Sequence, residues 1–481
     1  MVLNAHITSL NIIPTLQDKD SLGTNERTDN FKVLNLRTDE YDTTNVKHHI
    51  IITCDRSGSM ENGSSGETKI NQTKHTIINI FRWAMENNYD IHFTLVIFDN
   101  VVDILFEDVV VTRDNIVDLT SIINVDIFAR NSTDIGASFN TVRKIKEKYS
   151  ADDVKMSHIF MTDGVPTSGV VNREGLVELL PEIETQYFIG FGVDHDPVLL
   201  SKFAEKFTNS YYFVDCMENT GNVYGEILHN IVNNLLSSVE IESSIYQMYD
   251  SVNNTWVNKL CIKNISVDSQ KNIHLKCSWE DIYNLHEKNR TEQLLSISYK
   301  MNKFVGDKTD SIVVDSEINS YNYVYKFLWK QKVLELLYKF KHSPLKYSRD
   351  EIKTLIDDMK VYIEEKNLGT DEFMKVLQDD LYIAYKTCHK AEAKIFISSR
   401  HESSSNERAV MVKNINTRSM SQPIFITRSF NQHAEMKYEE DEEDEEDDEF
   451  GDYEILQNMN SLNLNRQQTG ISRTVSAPNN I

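Results

Sequence analysis

Oxygen-bearing side chains cluster in two short segments, each of which follows an apolar run. Asp55-Arg56-Ser57-Gly58-Ser59 comes shortly after Ile50-Ile51-Ile52, and Asp163-Gly164 comes after Ile159-Phe160-Met161-Thr162. Neither segment contains a His or a Cys. Carboxylate and hydroxyl oxygens, without nitrogen or sulfur ligands, suit a hard cation that accepts octahedral geometry and keeps some of its waters. These segments therefore point to Mg²⁺ first and Mn²⁺ second.

The elements around these segments predict how they meet. From Val46 to about Leu236, short apolar runs alternate with amphipathic stretches, which is typical of a doubly wound, mostly parallel α/β sheet. The two apolar runs should form central strands, because such strands are covered by helices on both faces. Ligands of these folds bind beyond the carboxyl ends of the strands, where Asp55 and Asp163 emerge. The predicted strands are His49 to Cys54, Ile91 to Phe98, Val101 to Val111, His158 to Thr162, Gln186 to Gly192 and Tyr211 to Asp215.

Helices are predicted between these strands by apolar residues at spacings of three and four. One buried stripe begins at Ile135 and ends at Tyr149. Similar patterns cover Ile70 to Met85 and Val198 to Phe207, and a last helix from Gly221 to Leu236 closes the domain.

The flanking regions have different patterns, which divide the chain into five parts. After Ser237 the residues alternate as in strands, which predicts a small β-sandwich, and three helices should follow it. The N-terminal residues are also strand-like, so we expect them to pair with the later sheet, with the α/β domain inserted. The predicted parts are N-terminal strands 1–44, α/β domain 45–237, β-rich domain 238–318, helical bundle or hairpin 319–399, and disordered acidic tail 400–481.

Composition limits the classes of partner and the compartment. The net charge is −24, of which the consecutive acids from Glu439 to Glu449 supply −11, and the remaining charge would still repel nucleic acid. Five cysteines form no C-x-x-C pair, which favours reduced thiols and a cytoplasmic or nuclear protein. We expect neither a signal peptide nor a membrane span, because the N-terminus lacks a basic start and no eighteen apolar residues run together.

The first segment, with Gly58 and Met60 in place, resembles the first metal loop of von Willebrand factor A (vWA) domains. In that family a second loop supplies a Thr at the start of a helix, which Thr133-Asp134-Ile135-Gly136 matches. A third supplies an Asp after the next central strand, which Met161-Thr162-Asp163-Gly164 matches. All three loops occur in the family's order, although Asn131-Ser132 stand where glycines often precede the Thr. Taken alone, each loop also fits an ordinary helix cap.

The resemblance implies a complete metal-ion-dependent adhesion site, or MIDAS. Ser57 and Ser59 would coordinate one Mg²⁺ directly, Thr133 directly or through water, and Asp55 and Asp163 mainly through waters. Few anionic groups would then touch the ion, so it would accept an Asp or Glu carboxylate of a protein partner as its sixth ligand.

The resemblance extends to intracellular eukaryotic vWA proteins that carry a strand-and-helix companion, the Vwaint region. It is seen in the stretches Gly190 to Asp196 and Tyr211 to Asp215. Five scattered cysteines cannot supply a RING finger, and the chain has no P-loop, G-x-G-x-x-G, G-x-S-x-G or H-E-x-x-H motif. We therefore predict a non-enzymatic, Mg²⁺-dependent adaptor or scaffold. The alternative is a substrate-recruiting cofactor of a ubiquitin-ligase or AAA-ATPase assembly.

Overall fold

A computed structural model of the chain describes residues 2–405, except 10–30, 44, 65–66, 88, 152, 184, 193–194, 208–209, 215–216, 278–294, 344–346 and 390–392. In chain order its strands are β1 (Leu3–Ser9), β2 (Phe31–Thr38), β3 (Lys47–Asp55), β4 (Gly63–Ser64), β5 (Glu67–Thr68), β6 (Ile91–Phe98), β7 (Val102–Val110), β8 (Val154–Thr162), β9 (Thr185–Phe191), β10 (Ser210–Val214), β11 (Asn234–Ser243), β12 (Gln247–Asp250), β13 (Thr255–Val257), β14 (Lys259–Ser266), β15 (Gln270–Lys276), β16 (Leu295–Met301), β17 (Thr309–Ile312) and β18 (Asp315–Asn319). The helices are α1 (Lys69–Asn87), α2 (Ile116–Asp126), α3 (Ile135–Tyr149), α4 (Arg173–Leu179), α5 (Pro197–Phe207), α6 (Met217–Val232), α7 (Tyr321–His342), α8 (Arg349–Glu365), α9 (Glu372–Thr387) and α10 (Ala393–Ser405).

The central sheet confirms the predicted doubly wound architecture. Its strand order is β10-β9-β8-β3-β6-β7, and every pairing is parallel except that of the edge strand β7 with β6. The two apolar runs lie in β3 and β8, which pair with each other at the centre. Cys54 is in register with Met161, so the chain leaves both strands at the same edge and carries Asp55 and Asp163 there together.

Helices cover both faces of this sheet. Phe81 of α1 and Ile227 of α6 belong to the core on one face, and Phe139 of α3 and Phe203 of α5 belong to the core on the other. Two short helices, α2 and α4, were not predicted.

The predicted end of the last helix of this domain was wrong. Helix α6 ends at Val232, and the following residues Leu235 and Leu236 belong to strand β11. Their side chains are buried in the core of the neighbouring β-rich part rather than against the central sheet. Local apolar spacing could not distinguish these two burial sites.

The α/β domain is inserted into a β-sandwich, as expected. The N-terminal strand β2 pairs with β15, and β1 pairs with both β2 and β18, in a six-stranded sheet of order β13-β12-β15-β2-β1-β18. A second, four-stranded sheet has the order β14-β11-β16-β17. Leu34 and Leu36 of the first sheet share one core with Val239 and Ile297 of the second, so the sheets pack face to face.

The opposite face of β2 packs on helices. Because side chains alternate along a strand, Phe31 and Val33 point away from the sandwich core and join a cluster with Trp329 and Leu337 of α7. In the described residues four helices follow the sandwich rather than three. The fourth, α10, runs to Ser405, past the predicted boundary at residue 399, and the rest of the predicted acidic tail lies outside the described residues. None of the helices that the structure describes is long and apolar enough to cross a membrane.

Candidate metal centre

Asp55 ends β3 and is held by its immediate neighbours. The backbone N–H of Ser57 donates to its Oδ1 over 2.7 Å, and the Thr162 hydroxyl donates to its Oδ2 over 2.5 Å. The carboxylate is fully buried. Burial, together with the nearby charge of Asp163, raises the pKa of Asp55 to about 7. A cation bound nearby would therefore offset both the burial of this carboxylate and its repulsion from Asp163.

Ser57 and Ser59 lie side by side, and Ser59 contacts Asp163. Directly after β3 the chain enters a single 3-10 turn, Gly58–Glu61, anchored by the buried Met60. The hydroxyl oxygens of Ser57 and Ser59 are 3.1 Å apart, and Ser59 donates to Oδ1 of Asp163 over 2.8 Å. The predicted first and third loops are thus in contact.

The loop before α3 brings in Thr133. Asn131 has a φ of 60°, in the left-handed region where a glycine would be favoured, so it replaces the expected glycine in conformation. Its carbonyl accepts the Gly58 N–H over 3.0 Å, which joins the first and second loops. The cap of α3 is Asp134, whose carboxylate accepts the N–H of Ala137 over 2.9 Å. The helix-cap interpretation of Thr133 is therefore wrong.

The five predicted side chains converge next to Gly164. A β-carbon placed on Gly164 would lie 3.4 Å from both Asp55 Oδ2 and Thr133 Oγ1. Ser57, Ser59, Thr133 and Asp163 line one surface pocket, together with Gly58, Asn131, Gly164, Val165 and Thr167. All five predicted metal-site residues are therefore close together, at the carboxyl ends of β3 and β8.

The chemistry of this donor set fits a hard divalent cation. The polar side chains are two carboxylates and three hydroxyls. No group of three or more His, Cys, Asp or Glu side chains that could hold a metal occurs among the described residues. Soft metals and carboxylate-rich calcium cages are therefore poor fits here, whereas Mg²⁺ suits few carboxylates supplemented by hydroxyls and water.

Two further features of the site were missed by sequence reasoning. The Lys69 ammonium donates to Asp163 Oδ2 over 2.8 Å in a buried ion pair. No local pattern marks this lysine, because it begins helix α1, far from Asp163 in the sequence.

The second missed feature is a charge network beneath the loops. Arg56 lies 3.2 Å from Asp99 and also pairs with Asp103, while Arg130 pairs with Asp99 over 2.5 Å. Burial opposes ionisation of Asp99, but hydrogen bonds from Arg130 and from the Val101 backbone outweigh it, so the pKa of Asp99 is lowered. Because Arg56 follows β3 and Arg130 precedes Thr133, this network ties two of the metal-site loops together.

Comparisons with known proteins give structural similarity only. No protein-family model matches the chain, and no curated protein matches it. A von Willebrand factor type A protein from Catenulispora acidiphila is 10% identical, with 78% of this chain and 89% of that chain covered and a TM-score of 0.48. The ArnB paralog VWA2 from Sulfolobus acidocaldarius is 13% identical, with 84% and 98% covered and a TM-score of 0.45. Proximal thread matrix protein 1 from the mussel byssus, with a zinc-occupied MIDAS motif, is 20% identical, with 40% and 49% covered and a TM-score of 0.31.

Proposed function

We propose that this chain is a non-enzymatic, Mg²⁺-dependent protein-binding module of the vWA type, working as an adaptor or scaffold. Its metal-binding residues would be Asp55, Ser57, Ser59, Thr133 and Asp163, which together would form a MIDAS. The observation that supports this is the convergence of these five side chains beside Gly164, at the carboxyl ends of two central parallel strands.

The donor set indicates what the site would bind. Bound Mg²⁺ would supply an electrophilic coordination position that accepts a carboxylate. Hydroxyls of Ser57, Ser59 and Thr133 are neutral ligands, so they would leave much of the charge of a divalent ion uncompensated. An Asp or Glu side chain of a protein partner is the complementary ligand. Val165, half exposed at the rim of the pocket, offers apolar contact beside that carboxylate.

The compartment and the regional resemblance are part of the same proposal. Among the described cysteines, Cys54, Cys261 and Cys388 are free thiols, which is compatible with a reducing cytoplasm or nucleus. We further propose that the sandwich and helices act as a Vwaint-like companion of the α/β domain.

Mn²⁺ binding to wild type and two threonine variants tests the metal centre. Thr133→Ala removes a proposed ligand and should weaken Mn²⁺ binding at least about tenfold, the loss expected for one coordinating contact of 1.4 kcal/mol or more. Thr141→Ala is the matched control, because Thr141 lies on α3 and its hydroxyl donates to the Ala137 carbonyl, over 3.2 Å, rather than to a proposed metal-site residue. Equal Mn²⁺ affinity in the two variants would contradict the assignment.

Partner capture tests the carboxylate mechanism. In a pull-down from native lysate, EDTA or Thr133→Ala should remove the specifically bound protein, whereas Thr141→Ala should retain it. The chain is negatively charged, so raising salt from low to physiological levels screens long-range repulsion and should leave capture unchanged or slightly improved. Capture that survives EDTA but collapses with salt would instead indicate binding through the acidic run from Glu439 to Glu449.

A further inference from the structure

The Lys69 side chain is built into the metal centre. Its ammonium lies 2.8 Å from Asp163 Oδ2, and the side chains of the pair are only 7% and 0% exposed. Gly192, in the left-handed conformation at φ 68°, makes room for it, because a β-carbon there would lie 2.7 Å from Lys69 Cε. The backbone N–H of Lys69 is also fixed, by donation to the Asn62 carbonyl over 3.0 Å. A buried cation thus stands beside one of the two carboxylates of the site.

The Lys69 ammonium changes the net charge of the site both without and with a bound divalent ion. Ionised Asp55 and Asp163 carry two negative charges, and Lys69 reduces the net charge of the three groups to minus one. A bound divalent ion would raise that net charge to plus one. If position 69 were neutral, the same ion would bring the net charge of these groups to zero, and the attraction of the loaded site for an anion would be weaker.

We infer that Lys69 sets two affinities of the metal centre in opposite directions. Its charge lowers the affinity for the divalent ion, and it keeps the net charge of the metal-loaded site positive, which favours a carboxylate ligand. This inference rests on the proposed function. The ammonium repels an incoming ion because both are cations close together in a poorly solvated site, where charges interact more strongly than in water. The same charge attracts an anionic ligand. Removing it should therefore change metal affinity and ligand affinity in opposite directions.

Three variants isolate the charge from the packing. Lys69→Met removes the charge and keeps the aliphatic chain, while Lys69→Gln removes the charge and keeps a hydrogen-bond donor for Asp163. Lys74→Met is the matched control, because Lys74 lies on the same helix but bonds to the Asn124 carbonyl, over 3.1 Å. Free Mn²⁺ measured by electron paramagnetic resonance gives the Mn²⁺ Kd of each full-length protein, with and without acetate. Acetamide in place of acetate controls for an uncharged molecule of the same shape.

Lys69→Met and Lys69→Gln should bind Mn²⁺ about tenfold more tightly than wild type, since they lose one unit of repulsion near the ion. Acetate should tighten Mn²⁺ binding several-fold in wild type and in Lys74→Met, but little in the two Lys69 variants. Acetamide should have no effect in any of them.

The outcomes separate this inference from the proposed function. If wild type binds no Mn²⁺, the metal centre itself is contradicted, and the inference falls with it. If wild type binds Mn²⁺ but both Lys69 variants show its affinity and its acetate effect, the inference is overturned and the metal centre stands. A purely structural lysine would lower the metal-free melting temperature in Lys69→Met without altering either binding measurement, which also overturns the inference.

Discussion

The substitution Gly164→Ala should abolish metal binding while leaving the fold intact. The added β-carbon would lie 3.4 Å from Asp55 Oδ2 and from Thr133 Oγ1. A carbon at that position excludes any water that would bridge those two oxygens. Asp55 is expected to hold the ion mainly through water. The methyl group would therefore remove the water-mediated contact between this carboxylate and the ion.

The cost of Gly164→Ala to folding should be small. Contacts of 3.4 Å are ordinary van der Waals distances, and the backbone of Gly164 is not in the left-handed region. An alanine that fits without strain stabilises a protein by about 0.4–1 kcal/mol, because it reduces the freedom of the unfolded chain. We therefore expect the free energy of unfolding without metal to stay within about 1 kcal/mol of wild type.

The loss of metal stabilisation should be much larger than that change. An ion that binds only the folded state at about 100 times its Kd stabilises by about 2.7 kcal/mol. For a domain of this size, that raises the melting temperature by about 5 to 10 °C. Wild type should show this shift with added Mg²⁺ or Mn²⁺, and Gly164→Ala should not.

Gly369→Ala provides the matched control for this experiment. A β-carbon on Gly369 would meet nothing within 4 Å, so this variant should keep the full metal-induced shift in differential scanning calorimetry. If Gly164→Ala melts with the same metal-induced shift as Gly369→Ala, then the oxygens around Gly164 do not hold the ion and the reasoning is refuted.

Three further predictions concern the architecture that supports the site. Leu34→Ala opens a cavity in the sandwich core and should lower the free energy of unfolding by about 3 kcal/mol in urea titrations. Val313→Ala, which shortens an exposed side chain, should change the free energy of unfolding by less than about 0.5 kcal/mol. Equal effects of the two substitutions would contradict the core that β2 shares with the later strands. Burial lowers the pKa of His158 from 6.5 to about 4, so its contribution is fully present above pH 6.5 and is lost as the pH falls toward 4. Between pH 7.5 and 5, wild type should therefore lose about 2 kcal/mol more of its free energy of unfolding than His158→Gln, and parallel losses would show that His158 is not buried as a neutral ring. Asp99→Ala leaves the buried Arg56 without its buried partner and should lower the free energy of unfolding by about 3–5 kcal/mol. Asp153→Ala breaks an exposed pair with Lys47 and should lower it by less than about 1 kcal/mol. If Asp99→Ala lowers the free energy of unfolding no more than Asp153→Ala does, the charge network does not support the metal-site loops.

The central sheet and its site loops could be predicted because their signals are local. Continuous apolar runs identify strands buried on both faces, and β3 and β8 contain the two clearest examples. The residues directly after such strands must emerge at one edge of a parallel sheet, which is why Asp55 and Asp163 could be placed together before the fold was known.

The missing elements have weak local signals. Helix α2 buries only Leu119 and Ile123, while its Val117 and Val125 are exposed, so its apolar residues do not form a single stripe. Helix α4 has seven residues and one buried side chain, Leu176. Such short helices form through tertiary packing rather than through their own sequence pattern.

The charged groups of the site could not be predicted, because their partners are distant in the sequence. Lys69 meets Asp163 across 94 positions, and Arg130 meets Asp99 across 31. The pairing of β3 with β8 and β6 brings Asp163 and Asp99 to one edge of the sheet, and tertiary packing adds Lys69 and Arg130 there. The left-handed backbone of Asn131 was likewise not evident from the sequence, because position 131 is an asparagine rather than a glycine, the residue that adopts this conformation without steric cost.

The central claim is tested most directly by a crystal structure of the full chain grown with Mn²⁺, with diffraction data collected near the manganese absorption edge. The account predicts one strong anomalous difference peak among the hydroxyls of Ser57, Ser59 and Thr133, next to Gly164. Crystals grown in millimolar Mn²⁺ with no peak at this position, or with manganese bound only at the acidic surface, would contradict it.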